Sequence, residues 1–272
     1  MPGISEGKVA IFGAGGPVGA VVAPVLREDY TLRLTDVVGI EEVLQREASP
    51  VWPQWREAPE PPHCWEPCDV TDYEQVARAV EGCDAAVNLT VNRNDPPKAF
   101  GINVVGAYNV VKAAAEAGLR RVVHTGVISR TLGYEGDYRY EFDIPDDAPL
   151  RAGTDLYPHT KYLGVNVVDA FAERTGLDVV TLFLSRLRPA DRYDGRDDDV
   201  VQSFSVAWDD LARAYRCALA APEMPHPNER FFICAPLPIG KYSSDKAERL
   251  LGWTPRHRFE RFWRQPYRHD AE

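Results

Sequence analysis

The chain has 272 residues, 44% of them hydrophobic and 26% charged, with a formal net charge of −10. These are values of a globular protein rather than a disordered one. The acidic balance argues against nucleic acid or an anionic membrane as the main partner, and no stretch approaches the roughly 18 apolar residues a bilayer span needs.

In chain order, KVAIFGAGG opens with an apolar run, Val9–Phe12, that stops at glycines: a buried strand feeding a turn. PVGAVVAPVLRE reads as a helix, with Pro24 expected to kink it. YTLRLTDV (30–37) is a second strand, and the proline-rich stretch 48–67 an irregular, exposed excursion. YEQVARAVEGC is a helix, DAAVNLTV (84–91) a strand, and PKAFGINVVGAYNVVKAAAEAGL a long helix ending near Gly118. RRVVHTGVIS (120–129) is a strand, a helix runs from about 155 to 174, and LDVVTLFLSRL (177–187) is the next strand. Strict alternation through residue 187 predicts a doubly wound parallel α/β sheet. Residues 188–272 hold an acidic loop, the helix DDLARAYRCALAAP, the strand ERFFICA and the helix SSDKAERLLGW. They are expected to form a small substrate-binding cap packed on a core of residues 1–187.

Gly13, Gly16 and Gly19 form G-x-x-G-x-x-G between the first strand and first helix. That spacing lets backbone N–H groups approach a pyrophosphate at a helix N-terminus. Asp36 ends the second strand, where a carboxylate accepts hydrogen bonds from an adenosine ribose and repels a 2′-phosphate. NAD is therefore expected over NADP; Arg33 is the basic neighbour that would reverse this preference.

Tyr157 and Lys161 stand four positions apart in DLYPHTKYLG, one turn of helix and on one face. An ammonium group beside a phenol favours the phenolate, bringing it toward useful general-base strength. Five cysteines, at 64, 68, 83, 217 and 234, fit reduced thiols and a cytoplasmic setting. The N-terminus has no basic leader followed by a long apolar run. HCWEPC (63–68) lacks a second Cys/His pair at zinc spacing, and the acidic run 197–199 reads as a loop, so no metal is expected.

These features together with GAGGPVG, CDVTD (68–72), NVVGAYNVVKAAAEAGLRRVVH (103–124), YPHTK (157–161), VAWDDLARAYRCAL (206–219) and DKAERLLGW (245–253) resemble the extended short-chain dehydrogenase/reductase, or NAD-dependent epimerase/dehydratase, family. The likeness covers nearly the whole chain, and its short length and compact C-terminal part are most similar to the uronate dehydrogenases of that family. The resemblance implies a cofactor site of Gly13, Gly15, Gly16, Pro17, Val18, Gly19, Asp36, Asp69, Val70, Leu89, Asn103, Tyr157 and Lys161. It implies that Tyr157 takes a proton from a hydroxyl of a sugar or sugar acid while hydride passes to NAD. It also implies a homodimer through helices around 97–117 and 155–174.

The family's strand-end serine or threonine aligns with Val127, so Ser129 or Thr125 is the expected substitute. Substrate contacts are expected from Asn92, Arg93, Arg186 and Arg196, although an exposed turn explains Asn92 and Arg93 equally well. Surface pairing with the acidic loop likewise explains the arginines. Two rival readings remain: a nucleotide-sugar epimerase or dehydratase that recycles its NAD, and a nucleotide-binding sensor without catalysis.

Overall fold

The computed structural model describes residues 3–127, 144–149, 155–190, 204–238 and 240–263. In its main sheet β1 (Gly7–Phe12) is flanked by β2 (Tyr30–Asp36) and β4 (Ala85–Asn88). Beyond β2 lies β3 (Cys64–Pro67); beyond β4 lie β5 (Arg121–Val127), β6 (Val179–Leu184) and β9 (Asn228–Phe232). All seven strands are parallel, and β7 (Arg186–Arg188) pairs separately with β8 (Ser205–Ala207).

The sheet is buried on both faces, which is why its strands read as continuous apolar runs. Val9, Ile11 and Val123 point into a core shared with α1 (Pro17–Leu26) and α7 (Trp208–Ala220). Ala10, Phe12 and Val122 point the other way, into a core shared with α3 (Tyr73–Val80), α5 (Ala107–Glu116) and α6 (Leu156–Thr175). Shorter helices are α2 (Ile40–Leu44), α4 (Pro96–Phe100) and α8 (Glu260–Trp263). Strand order reverses direction between β1 and β4, and ligands of such sheets bind beyond the strands' carboxyl ends at that point.

Several expectations need correction. The stretch 48–67 is not all irregular: its end forms β3, with Trp65 opposite Leu34. Trp55 donates from Nε1 to the Ala14 carbonyl at 2.7 Å and meets Trp65 edge-on, so the excursion is docked on the sheet. The stretch 177–187 divides at Ser185, its last residues leaving the main sheet to pair with β8. Helix α1 runs on past Pro24, which lies exposed two residues before its end. The long helix of 96–116 contains a π-helical turn, Gly101–Gly106, between α4 and α5, and ends as expected at Gly118, with φ +71°.

The C-terminal part is woven into the core. β9 is a strand of the main sheet, and Tyr215 of α7 is fully buried. Asp210, with no exposed surface, accepts from the backbone N–H groups of Arg256 and His257 at 2.9 Å each and from Arg213. It fastens the segment after the last π-helical turn (Ala247–Leu251) to α7.

Candidate active site

The glycine loop follows β1 at the switch point. Gly13 takes φ +76° with Thr90 and Leu89 backbone against it, and Ala14 N–H donates to Thr35 O at 2.8 Å. Gly19 lies so close to the Ala14 carbonyl that a Cβ there would sit 2.0 Å from it. Pro17 opens α1 behind Gly16, a position where its missing N–H costs no helical bond. Leu89 is buried beside the loop, its N–H on Phe12 O at 2.9 Å.

Asp36 reaches this loop: its Oδ2 accepts from Gly15 N–H at 2.9 Å, and its Oδ1 from Val37 N–H at 2.9 Å. Burial pushes the carboxyl above its ordinary range, while the Gly15 N–H and the charge of Arg46 pull it down. A carboxylate has about four acceptor positions, so ribose hydroxyls still find room. A side chain at Gly15 would put a Cβ 2.9 Å from Asp36 Oδ2; the cradle therefore requires glycine. These residues fit a dinucleotide.

The basic neighbour is not the one expected. Arg33 is turned toward the end of α3, donating to the carbonyls of Arg78, Ala79 and Glu81. Arg46, arriving after α2, donates to Gly15 O at 2.7 Å. Asp69 accepts from Thr71 N–H and Oγ1 in a local turn, and Asp72 is the residue that caps α3. Val70 is buried against Gly106, and its carbonyl accepts from Asn109 Nδ2 at 2.8 Å.

Tyr157 and Lys161 share one face of α6 near its start, with Lys161 2% exposed. Pro158 sits in the first turn, where it displaces no helical bond. Burial, and next the charge of Arg93, push Lys161 down to about 8. Burial pushes Tyr157 up, opposed by the charge of Arg93 and a hydrogen bond from it; the Arg93 guanidinium lies 5.3 Å from the ring centroid. Arg93 is thus a second cation beside the phenol, in addition to Lys161 one turn along α6.

Asn103, in the π-helical turn, joins two sides of the site. Its Oδ1 accepts from Asn92 N–H at 3.0 Å, while Nδ2 donates to Asn92 O at 2.8 Å and to Thr160 Oγ1 at 2.9 Å. Its side chain thus ties the loop at Asn92 to α6.

Thr125 is corrected as a substitute donor. Its Oγ1 is 2.7 Å from Tyr215 Oη, in the core on the α7 face of the sheet. Its neighbour His124 takes the α6 face, where the charge of Lys161 and above all burial keep the imidazole well below its ordinary pKa. Asn88 Oδ1 is held by Thr90, so Asn88 Nδ2 faces His124 Nδ1 at 3.5 Å, and His124 Nε2 has no partner among the described residues. Sequence reasoning missed His124 and Asn88; a polar residue interrupting two buried strands was the available signal. Arg186 is exposed on β7. Ser129 and Arg196 lie outside the described residues, and so does the side chain of Val127.

The profile of the NAD dependent epimerase/dehydratase family matches residues 9–207. The chain belongs to this family. As a member it is an enzyme whose cofactor is NAD. It is 24% identical to uronate dehydrogenase of Pseudomonas syringae pv. tomato, over 80% of this chain and 72% of that one. It is 26% identical to L-arabinose 1-dehydrogenase (NAD(P)(+)) of Haloferax volcanii, over 71% and 72%. Uronate dehydrogenase from Agrobacterium tumefaciens has a matching fold, with TM-score 0.74 and 22% identity over 98% of this chain and 94% of that one. Glucuronic acid dehydrogenase from Chromohalobacter salexigens matches equally, with TM-score 0.74 and 21% identity over 97% and 90%. Among the described residues of this family member, no helix is long and apolar enough to cross a membrane.

Proposed function

We propose that the protein is an NAD-dependent dehydrogenase that oxidises the anomeric or a secondary hydroxyl of a sugar acid. The observation that carries this reading is the phenol–amine pair of Tyr157 and Lys161, on one face of α6 in a chain whose glycine loop and Asp36 fit NAD. Relatives named for uronates and for arabinose support the substrate class.

Bound NAD supplies the hydride acceptor. Tyr157 Oη takes the hydroxyl proton of the substrate, and Lys161 holds positive charge one turn away, favouring the phenolate. Asn103 fixes α6 against the loop at Asn92 and so orients both groups. Residues 188–272 contribute a substrate cap through their loops. The exposed apolar side chains Phe100, Val105 and Tyr108 on the α4–α5 helix fit a homodimer seam with a second copy of that helix and α6.

The test is NADH formation by the purified protein with glucuronate, galacturonate, arabinose and glucose. Rapid reduction with the two uronates is expected. Product without net NADH from a nucleotide sugar would instead favour epimerisation, and NAD binding without turnover on any of them would favour a sensor.

A further inference from the structure

Loss of the hydroxyl proton builds negative charge on the substrate oxygen until hydride departs, and a donor fixed against that oxygen stabilises it. Thr125 is spent on Tyr215, and Asn103 on Asn92 and Thr160. Arg93 is different. The backbone on either side of it is held: both backbone polar groups of Asn92 bond to Asn103, and Asp95 N–H donates to Asn92 Oδ1 at 3.1 Å. Asp95 in turn caps α4 through Lys98 N–H at 3.2 Å. Asn103 then reaches Thr160 on the helix that carries Tyr157, so the loop and the phenol are parts of one hydrogen-bonded frame.

From this frame the exposed Arg93 side chain lies over the Tyr157 ring, 5.3 Å from its centroid, where its charge favours the phenolate. No carboxylate pairs with it among the described residues. A guanidinium carries five donors in a planar fork, so it can serve more than one acceptor, an oxygen brought to the phenol included.

We propose that Arg93 is a catalytic residue, donating a charged hydrogen bond to the substrate oxygen under oxidation while it holds the negative charge of Tyr157 Oη. In that step the substrate O–H bond breaks with its proton passing to Tyr157, the C–H pair leaves as hydride to NAD, and the C=O bond forms. Arg93 changes no oxidation state and remains protonated throughout. The inference rests on the dehydrogenase reading above.

The described charged and titratable groups around the phenol are Arg93 from the β4–α4 loop, Lys161 from its own helix and neutral His124 from β5. Arg93→Ala and Arg93→Lys are compared with the wild type by carbon-13 tyrosine NMR, Tyr157→Phe assigning the signal, and by pH–rate profiles with NAD. The phenolate is the active base, so the rate rises as pH climbs through the pKa of Tyr157. Removing Arg93 is expected to move the NMR midpoint and this rising limb upward together, by about one pH unit. Turnover at neutral pH should fall about 10²-fold at saturating substrate, with NAD affinity unchanged, part recovery in the lysine variant and part rescue of the alanine variant by added guanidinium. An unmoved midpoint, or a raised KM with kcat intact, would overturn the role of Arg93 while leaving the dehydrogenase reading in place. Absence of wild-type turnover on every sugar tested would remove that reading, and the role of Arg93 with it.

Discussion

Gly164 of α6 lies against the carbonyl of Asn103, so closely that a Cβ on it would stand 2.2 Å from that oxygen. The helix that carries Tyr157 and the π-helical turn that carries Asn103 are in backbone contact at this point. The site's geometry depends on that closeness.

In a helix interior, alanine normally stabilises by about 1 kcal/mol relative to glycine. For Gly164→Ala the opposite sign is expected, because the obstacle is backbone and neither helix can yield alone. A net loss of about 1–3 kcal/mol in urea unfolding, with kcat reduced more than NAD affinity, is the expected outcome. A stabilised variant with full activity would show that the helices separate freely.

Asp36 is expected to set cofactor choice through its charge. Asp36→Asn keeps an acceptor for Gly15 N–H but removes the negative charge beside Arg46. NADH binding is expected to weaken about 10-fold, or about 1.4 kcal/mol, while NADPH binding improves. Fluorescence titration of both nucleotides measures the difference.

Lys161 carries a pH signature in the free enzyme. Its pKa falls from an ordinary 10.5 to about 8 on folding. Between those values the unfolded chain holds a proton that the folded chain has released, so stability from this group rises with pH across the window and is flat below it. The penalty at pH 7 is on the order of 3 kcal/mol. Lys161→Met should therefore raise the Tm of the free protein at pH 7, narrow the gap near pH 10, and abolish turnover. Equal shifts in Tm at both pH values would refute the titration.

Arg121, 2% exposed, ties β5 to the end of α7. Its guanidinium donates to the carbonyls of Ala218, Ala221 and Pro222 at 2.8, 2.6 and 2.8 Å, and to Asp178 at 2.5 Å. Arg121→Met leaves those carbonyls and a mostly buried carboxylate unpaired. A loss of about 3–5 kcal/mol is expected in denaturant unfolding, without change in NAD affinity per folded molecule.

The proposed seam predicts that Val105→Glu, at a position 47% exposed, yields a folded monomer. Sedimentation of wild type and variant tests it: a wild type that is already monomeric would discard the seam.

What the sequence made legible follows from period and spacing. Buried parallel strands announce themselves as apolar runs, and the glycines, Asp36, Tyr157 and Lys161 sit at fixed distances along the chain from elements that such runs define. The rest is tertiary. Residues 33 and 36 point to opposite faces of β2, so Arg33 goes to α3, and Arg46, ten positions beyond Asp36, is the basic neighbour of that carboxylate. Parity along β5 likewise sends Thr125 to Tyr215 and His124 toward Lys161. Arg93 lay in a loop the sequence singled out, but that loop is held through its neighbour Asn92 by Asn103, eleven residues beyond Asn92 in the next helix. Helix α2 and strand β3 are five and four residues long, too short to show a period.

The bond from Trp55 to the Ala14 carbonyl couples a proline-rich surface loop to the glycine turn after β1. Such loops tolerate sequence drift far better than the glycine turn itself. Changes around Trp55 are therefore expected to give evolution, or an engineer, a remote dial on how tightly the enzyme keeps its coenzyme.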